Sequence, residues 1–266
     1  MYQFEFKRAD SVGQAAQLAD SGAQLLAGGQ TLLASMKQRL AQPETLVDLG
    51  ALPDLVGITD HGNAIEIGAM TRHQAVAADA AVNAKIPALA RLAGGIGDKQ
   101  VRAMGTIGGS LANNDPAACY PSAVLALNAT VKTNKREIPA DDFFQGLYAT
   151  ALESDELITA VSFPVAKAAG YAKFKQPASR YALVGVFVAQ TDNGVRVAIT
   201  GAGNGVFRHE GLEAALNGSF TPEAVEGVAV SADDLSADLH ASAVYRAHLI
   251  KVQTQRAVRQ ALGQEA

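Results

Sequence analysis

Apolar positions recur along the chain with two different periods, which predicts a mixture of helices and strands. Spacing of three to four residues predicts helices at 11–21, 32–40, 86–93, 122–128, 210–216, 222–230 and 241–262. Shorter apolar runs bounded by turn residues predict strands at 24–27, 45–49, 55–59, 64–68, 130–133, 156–163, 182–191 and 195–200. The segment Thr71-Arg72-His73-Gln74 fits a capping box that opens a further helix.

Turn and linker signals divide this pattern into regions. Lys167-Ala168-Ala169-Gly170 is the best candidate for a linker, and Asp192-Asn193-Gly194 predicts a hairpin between two strands. We therefore predict an α+β fold that begins with a two-lobed domain over residues 1–165, with lobes at about 1–54 and 55–165. A C-terminal α/β module over residues 170–266 is predicted to follow it.

Composition restricts the function. Apolar residues make up 48% of the 266 residues, enough for a sizeable core, and the net charge of −4 gives no basic footprint for nucleic acid. The single cysteine, Cys119, excludes an internal disulfide and a self-contained iron–sulfur cluster, and the scattered histidines show no metal-ligand spacing. We expect a cytoplasmic protein without a signal peptide or a membrane span, and docking at the inner face of a membrane stays open.

The first glycine motif, Leu26-Ala27-Gly28-Gly29-Gln30-Thr31, joins a predicted strand to a predicted helix. A Gly-Gly pair lets the backbone take a positive φ and lets a ligand approach where a Cβ would block it. Consecutive amide N–H groups then form a concavity that binds an anion, and the following helix adds the positive end of its dipole. Taken alone, the motif is explained more simply as a tight turn.

The second glycine motif, Thr106-Ile107-Gly108-Gly109-Ser110, is followed by Asn113, Asn114 and Asp115. A loop of this composition can wrap a pyrophosphate and ribityl hydroxyls, and two such loops favour a ligand site over two ordinary turns. The chain lacks the spacing of a Walker P-loop. Gly201-Ala202-Gly203-Asn204-Gly205 does not complete a dinucleotide fingerprint, because Val206 stands where the third glycine is required.

The two motifs in this order resemble the FAD loops of the medium subunit of aerobic carbon monoxide dehydrogenases and related molybdenum hydroxylases of the xanthine dehydrogenase family. Lys99–Arg102, Phe174–Arg180 and Asp238–Arg246 resemble segments of the same family, so the resemblance covers essentially the whole chain. It implies an FAD-binding domain of the PCMH/carbon monoxide dehydrogenase flavoprotein type, followed by that family's C-terminal domain. It also implies FAD as the cofactor of this chain.

The resemblance implies a role for individual residues as well. The FAD pyrophosphate is expected to lie between two sets of residues, Ala27, Gly28, Gly29, Gln30 and Thr31 in the first motif and Thr106, Ile107, Gly108, Gly109 and Ser110 in the second. Ile96 and Ile158 correspond to apolar contacts near the flavin, Lys175 to a lysine that reaches the cofactor, and Tyr181 to a cover for one flavin face.

The sequence departs from the family at two positions. Gln30 stands where many relatives have His, and it still donates and accepts hydrogen bonds. Cys119 stands where many relatives have an Asp that binds a ribityl hydroxyl, so Asn113 or Asp115 is a candidate to replace that contact. A packed thiol that acts as a small hydrophobic residue is the simpler interpretation of Cys119.

The resemblance implies an electron-transfer subunit. FAD would take electrons from the 2Fe–2S clusters of a small partner subunit, with molybdopterin in a large partner subunit, and pass them to an external acceptor, within a dimer of heterotrimers. A stand-alone FAD-dependent reductase or oxidase is an alternative, although the C-terminal module offers no evident proton donor. A non-redox assembly subunit is a second alternative, which Cys119 favours and the intact glycine motifs oppose.

Overall fold

The computed structural model describes residues 1–264, which form three main sheets with helices packed against them. The strands are β1 Glu5–Arg8, β2 Gln24–Leu26, β3 Thr45–Asp48, β4 Ile58–Asp60, β5 Ala64–Gly68, β6 Thr130–Thr133, β7 Glu137–Pro139, β8 Phe144–Gly146, β9 Ala149–Thr150, β10 Ile158–Pro164, β11 Ala168–Lys175, β12 Ala182–Thr191, β13 Gly194–Thr200 and β14 Phe207–Arg208. The helices are α1 Val12–Asp20, α2 Leu32–Lys37, α3 His73–Ala78, α4 Ala80–Lys85, α5 Pro87–Gly94, α6 Lys99–Met104, α7 Ile107–Asn113, α8 Tyr120–Ala126, α9 Ala140–Phe143, α10 Glu210–Gly218 and α11 Ala243–Ala261.

The N-terminal lobe is a small parallel sheet in the order β1-β3-β2, with α1 packed against β2 and β3. Its core includes Ala15 and Val47, and Leu157 from the segment before β10 joins it. Because β2 is an edge strand that ends at Leu26, the chain leaves the sheet directly into the first glycine motif. The sequence predicted β2, β3 and α1 but missed β1.

The second lobe is an antiparallel sheet in the order β4-β5-β10-β6-β7, and helices α3, α4, α5, α7 and α8 contribute to its core. Its core contains the fully buried Phe143, Phe163 and Tyr120. The core also takes in Tyr171 and Phe187 from the C-terminal sheet, since α8 packs against β12 and β13. The second lobe and the C-terminal module are therefore joined through one core, and the predicted division of the chain near residue 165 stays a prediction.

The C-terminal module is an antiparallel sheet in the order β11-β12-β13-β14, against which α11 packs. The predicted linker at residues 167–170 is wrong, because β11 begins at Ala168 and pairs with Gln190 of β12. Gly170 is needed inside this strand. A Cβ there would lie 1.9 Å from the carbonyl oxygen of Ala257 in α11, so the helix approaches the strand over a bare α-carbon.

Local predictions failed where tertiary contacts competed for the same groups. Thr71 does not cap α3, because its hydroxyl bonds to the backbone of Gly57 instead. The predicted strand at 55–59 is split into a 3-10 turn, Pro53–Leu55, and the short β4. The helix predicted at 222–230 is a 3-10 turn at Pro222–Val225. The second glycine motif is not an open loop, since its residues from Ile107 onward form α7.

One buried arginine fastens the start of α11 to the C-terminal sheet. The Arg246 side chain is 3% exposed, and its Nη1 donates to the carbonyl oxygens of Leu183 and Gly201, each at 2.7 Å. Its Nη2 donates to Asp238 at 2.7 Å, and this carboxylate is half exposed. Arg246→Leu would leave two buried carbonyl groups without donors. We expect it to lower the free energy of unfolding by about 3–5 kcal/mol in urea titrations.

Asp238→Asn is the matched variant, because it removes the charge of the half-exposed partner and keeps Arg246. We expect it to cost no more than about 1 kcal/mol in the same titrations. Equal losses from the two variants would contradict the view that the buried carbonyl contacts, not the ion pair, stabilise this junction.

His73 is a buried histidine at the start of α3. It is 5% exposed, its ring lies 5.3 Å from that of Tyr120, and its Nδ1 has no hydrogen-bond partner within residues 1–264. Burial, assisted by the charge of Arg102, lowers the pKa of His73 to about 4. The unfolded chain therefore binds this proton more readily, so the stabilisation is complete above about pH 6.5 and is lost as pH falls towards 4.

The lowered pKa of His73 predicts that the folded chain loses stability at acidic pH. Between pH 7 and pH 4 the free energy of unfolding should fall by roughly 3 kcal/mol more in the natural chain than in His73→Gln, where no proton can bind. Urea unfolding of both chains across that range measures the difference, and parallel pH profiles would show that His73 is not buried in its neutral form.

Candidate functional site

A deep cleft runs between the N-terminal lobe, the second lobe and the edge strand β11. Its volume is about 750 Å³, within the range of small-molecule sites. The cleft brings together the two glycine motifs, which are separated by some 75 residues in the sequence. The predicted site residues that line it are Ala27, Gly28, Gly29, Gln30, Thr31, Ile96, Thr106, Gly108, Gly109, Ser110, Asn113, Asp115, Cys119, Ile158 and Tyr181.

The first glycine motif presents a row of free amide groups to the cleft. Gly29 has φ +69°, the left-handed conformation that glycine adopts without strain. Within residues 1–264, the N–H groups of Gly28, Gly29, Gln30 and Thr31 donate to no protein acceptor. Gln30 steadies the turn by donating from Nε2 to the carbonyl oxygen of Gly28 at 3.0 Å. Consecutive amides of this kind form a concavity suited to a phosphate.

The two glycine motifs touch each other through their backbones. A Cβ on Gly28 would lie 2.1 Å from the carbonyl oxygen of Met104, just before the second motif. A Cβ on Gly109 would lie 3.4 Å from the Cβ of Ala27. Gly28 is therefore required for close approach and not for an unusual φ, and the two motifs form one continuous cleft wall.

The second motif forms part of the cleft wall but offers few free amide donors to a ligand. Thr106 caps α7, and its Oγ1 accepts the N–H of Gly109 at 3.2 Å. The N–H groups of Ile107 and Gly108 donate to the carbonyl oxygens of Thr71 and Ala69. The first turn of α7 is therefore already satisfied by protein, and the Ser110 side chain is the polar group that the motif directs at the cleft.

Apolar and aromatic side chains also line the cleft. Ile158 is 5% exposed at the start of β10, and Ile96 precedes α6. Tyr181 lies before β12, and Tyr148 lies at the tip of the β8–β9 hairpin. Both tyrosines expose about half of their surface, 49% and 59%. A planar ring can be packed between aliphatic and aromatic surfaces of this type.

A hydrogen-bonded amide holds the hairpin that carries Tyr148. The Nδ2 atom of Asn114 donates to the carbonyl oxygens of Gly146 and Ala149 at 2.8 and 2.7 Å. The charge of the neighbouring Asp115 carboxylate, with partial burial and a hydrogen bond to that carboxylate, raises the pKa of the Tyr148 hydroxyl. Tyr148 is thus a neutral phenol beside a carboxylate in the lining of the cleft.

Cys119 meets a lysine and not an acidic partner. The ammonium of Lys173 lies 3.3 Å from its Sγ, and donates to the carbonyl oxygens of Gly95 at 2.7 Å and Arg180 at 3.2 Å. Cys119 itself is 6% exposed and touches the cleft. Lys173 therefore joins three segments of the chain at one point of the cleft wall.

Two predicted site residues lie outside the cleft. Ile107 is fully buried, so it packs the second motif against the core of the second lobe and does not line the cleft. Lys175 lines a separate, smaller cavity beside Arg102 and Arg180. The regular pairing of β11 with β12 ends between these two lysines, because the register shifts between Phe174 and Lys175 and leaves Leu183 of β12 without a partner.

Among the lining residues that sequence reasoning missed are His73, Tyr148 and Lys173. Lys173 lies two positions before Lys175 in β11, a strand that was not predicted from the sequence. No local pattern distinguishes the two lysines, since the register shift between them depends on pairing with β12. Tyr148 and His73 carry no motif, and only their packing brings them to the cleft.

The described residues fit FAD. Free amides and bare α-carbons suit a pyrophosphate, and the apolar and aromatic side chains suit the flavin ring. Asn113, Asp115 and Ser110 also line the cleft and offer polar atoms for a ribityl chain. The lining thus offers partners for each chemical part of the cofactor.

Comparison with known proteins gives the same assignment. Residues 2–166 match the family described as the FAD binding domain in molybdopterin dehydrogenase. The chain is 36% identical over 275 residues to the carbon monoxide dehydrogenase medium chain of Hydrogenophaga pseudoflava, with 96% of each protein covered. It is also 36% identical over 253 residues to the nicotine 6-hydroxylase medium subunit of Paenarthrobacter nicotinovorans, with 90% of this chain and 89% of that subunit covered.

A solved structure extends the similarity to the whole fold. The carbon monoxide dehydrogenase from Hydrogenophaga pseudoflava that lacks the Mo-pyranopterin moiety of its cofactor contains a chain that superimposes with a TM-score of 0.92. The two are 36% identical, and the match covers 100% of this chain and 99% of the other. The chain therefore belongs to the FAD-binding subunits of the molybdenum hydroxylases, the oxidoreductase family that includes the carbon monoxide dehydrogenase medium chains.

Proposed function

We propose that this subunit is an electron relay, which receives electrons from 2Fe–2S clusters of a partner subunit and passes them to an external acceptor. The observation that carries the proposal is the cleft itself. Its lining combines the free amides and close-packed glycines of the two motifs with apolar side chains and with Tyr148 and Tyr181, which are about half exposed. FAD bound there would be held by its phosphates, and the partly exposed tyrosines would leave the flavin ring accessible.

FAD, when bound, supplies a centre that exchanges electrons singly or in pairs. The protein residues bind and orient it. The amides of the first motif would hold the pyrophosphate, and Ile96 and Ile158 would exclude water from the inner part of the ring site. Lys173 would place a positive charge at the cleft wall, where it favours a negatively charged, reduced cofactor.

The chain must receive its electrons from other polypeptides. Its one cysteine cannot hold an iron–sulfur cluster. The matched relatives are named as medium chains or medium subunits, which fits a complex with a large molybdopterin subunit and a small 2Fe–2S subunit. We propose a dimer of such heterotrimers in the cytoplasm. No helix within residues 1–264 has the length and apolar character to cross a membrane.

A stand-alone reductase or oxidase is a weaker candidate. Such an enzyme needs a substrate site with a proton donor next to the flavin ring. The residues of the C-terminal module that line the cleft are Lys173, Ser179, Arg180 and Tyr181, and the Lys173 ammonium already has three partners. A subunit that has lost FAD is also disfavoured, because the amide row and the close glycine contacts are retained.

Gly109→Val tests the cofactor site. The valine methyl groups would enter the gap between the two motifs, where a Cβ already lies 3.0 Å from the Thr106 Oγ1 and 3.4 Å from Ala27. We expect FAD affinity to fall at least about a hundredfold, since several contacts to the pyrophosphate are lost together. Because the cofactor is expected to be noncovalent, flavin released by acid from the purified chain measures its content.

Gly13→Val is the matched control, because a Cβ at Gly13 in α1 meets open space apart from one atom at 4.0 Å. It should keep its flavin and its melting temperature. Full flavin content in the Gly109→Val chain would mean that the second motif does not approach the cofactor.

Cys119→Asp tests whether a carboxylate is compatible with the polar part of the cleft. The new carboxylate would be placed beside Lys173, so its burial would be compensated by an ion pair. We expect FAD to bind up to about a hundredfold more tightly, the equivalent of one charge-assisted hydrogen bond. Flavin titrations of the apo-protein measure this.

Cys119→Asp in a Lys173→Met background separates the effect of the carboxylate on FAD binding from the effect of its ion pair with Lys173. There the carboxylate would have no counter-charge, and we expect both FAD affinity and melting temperature to fall. Weaker binding by Cys119→Asp alone, with a lowered melting temperature, would contradict the assignment of this position to the ribityl region.

A further inference from the structure

A second cavity opens beside the flavin cleft, and its charged lining residues are all cations. The cavity has a volume of about 330 Å³ and contains Arg102 from α6 with Lys175 and Arg180 from the segment around the end of β11. We call it the basic pocket. Gly97 and Arg180 line both the basic pocket and the flavin cleft, so the two spaces meet at these residues.

The two arginines of the basic pocket converge on a single oxygen atom. The Nη1 of Arg102 donates to the carbonyl oxygens of Ile96 at 2.8 Å and Gly97 at 3.2 Å. The Nη1 of Arg180 approaches the same Gly97 oxygen at 3.5 Å. Two guanidinium groups that share one carbonyl oxygen repel each other, and a carbonyl dipole offsets only part of this repulsion.

No carboxylate balances these charges. Within residues 1–264, Arg102, Lys175 and Arg180 form no ion pair, although the chain as a whole carries a net charge of −4. The Lys175 ammonium has no hydrogen-bond partner in the same range. Arg180 has φ +63°, a conformation that costs a non-glycine residue energy and that places its side chain at this rim.

A purely structural role explains part of the cluster. Cations next to the last turn of a helix are favourable, and the basic pocket lies at the end of α5. Arg102 and Lys173 already donate to the carbonyl groups of Gly95, Ile96 and Gly97 that follow this turn. Lys175 and the remaining donors of Arg180 are not needed for that purpose, so they are available to a ligand.

We propose that the basic pocket binds the phosphate groups of the electron acceptor, and that this acceptor is a nicotinamide dinucleotide and not a neutral quinone. The proposal rests on the function proposed above. Each of the two arginines can donate two parallel hydrogen bonds to phosphate oxygens, and the lysine ammonium adds a compact positive charge. A pyrophosphate in the basic pocket leaves the nicotinamide ring to reach the flavin cleft past Gly97 and Arg180.

The transfer balances with these partners alone. Reduced flavin gives one hydride, two electrons with a proton, to the nicotinamide ring, and its second exchangeable proton leaves to solvent. The products are oxidised flavin, the reduced dinucleotide and one proton.

Binding is tested first, on the full FAD-loaded chain with ADP-ribose as a redox-inert probe. Saturable changes in the flavin spectrum should report its binding to the natural chain. In the double variant Lys175→Met/Arg180→Met the dissociation constant should rise about tenfold to a hundredfold, because charge-assisted hydrogen bonds are lost. Lys99→Met is the control, since Lys99 lies on α6 with Arg102 but lines neither cavity. It should bind ADP-ribose as the natural chain does.

Reoxidation of the chemically reduced flavin is measured second, with oxidised nicotinamide adenine dinucleotide and with a neutral benzoquinone. The double variant should react with the dinucleotide about tenfold to a hundredfold more slowly at limiting concentration, and with the quinone at an unchanged rate. Inorganic pyrophosphate should inhibit the first reaction and not the second.

Several outcomes would overturn the acceptor assignment and leave the relay function standing. These are no ADP-ribose binding, equal slowing with both acceptors, or an unchanged rate with the dinucleotide. Pyrophosphate that binds without affecting the dinucleotide reaction would indicate a site for free phosphate. Loss of flavin from the double variant would assign the cations to the cofactor. Failure of the relay proposal itself is recognised separately, since the natural chain would then hold no reducible flavin.

Discussion

The cofactor site depends on one steric constraint, the backbone contact between the two glycine motifs. The α-carbon of Gly28 packs against the Met104–Gly105 peptide so closely that a Cβ would meet the Met104 oxygen at 2.1 Å. The α-carbon of Gly108 packs against Ala69 in a similar way, with 2.6 Å from a built Cβ to the Ala69 Cβ. The Gly28–Met104 contact joins the N-terminal lobe to the second lobe, and the Gly108–Ala69 contact holds the second motif against the end of β5. The free amides of Gly28 to Thr31 therefore lie directly beside the second motif.

The C-terminal sheet completes the cleft and fixes its polar middle. The Oγ1 atom of Thr200 lies 2.7 Å from the carbonyl oxygen of Pro116 and 2.6 Å from that of Ala118. The N–H of Gly201 also donates to Pro116. Strand β13 therefore holds the segment that runs from Asp115 to Cys119, and β11 brings Lys173 against the end of that segment. This explains why the second lobe and the C-terminal module share a core rather than meeting through a linker.

Charges of both signs lie in and beside the cleft. Asp115 lies next to the hydroxyl of Tyr148 and raises its pKa. Lys173, Arg102 and Arg180 donate to the carbonyl groups of the turn from Gly95 to Gly97. Hydrogen bonds thus fix the positions of these cations, which favours one orientation of a charged ligand that approaches a flavin in this cleft.

The sequence by itself determined the mixed fold, the order of the two glycine motifs and the glycine positions that line the cleft. These features depend on local properties, namely apolar periodicity and the absence of a Cβ at particular positions. Tertiary structure alone decided the remainder. Lys173 and not Lys175 lines the cleft, and the register of β11 against β12 shifts between the two lysines. Contacts with Ala69 and Thr71 use the first amides of α7, so the anion-binding amides come from the first motif. Strand pairing and long-range hydrogen bonds join residues far apart in the chain, and no local pattern of the sequence encodes them.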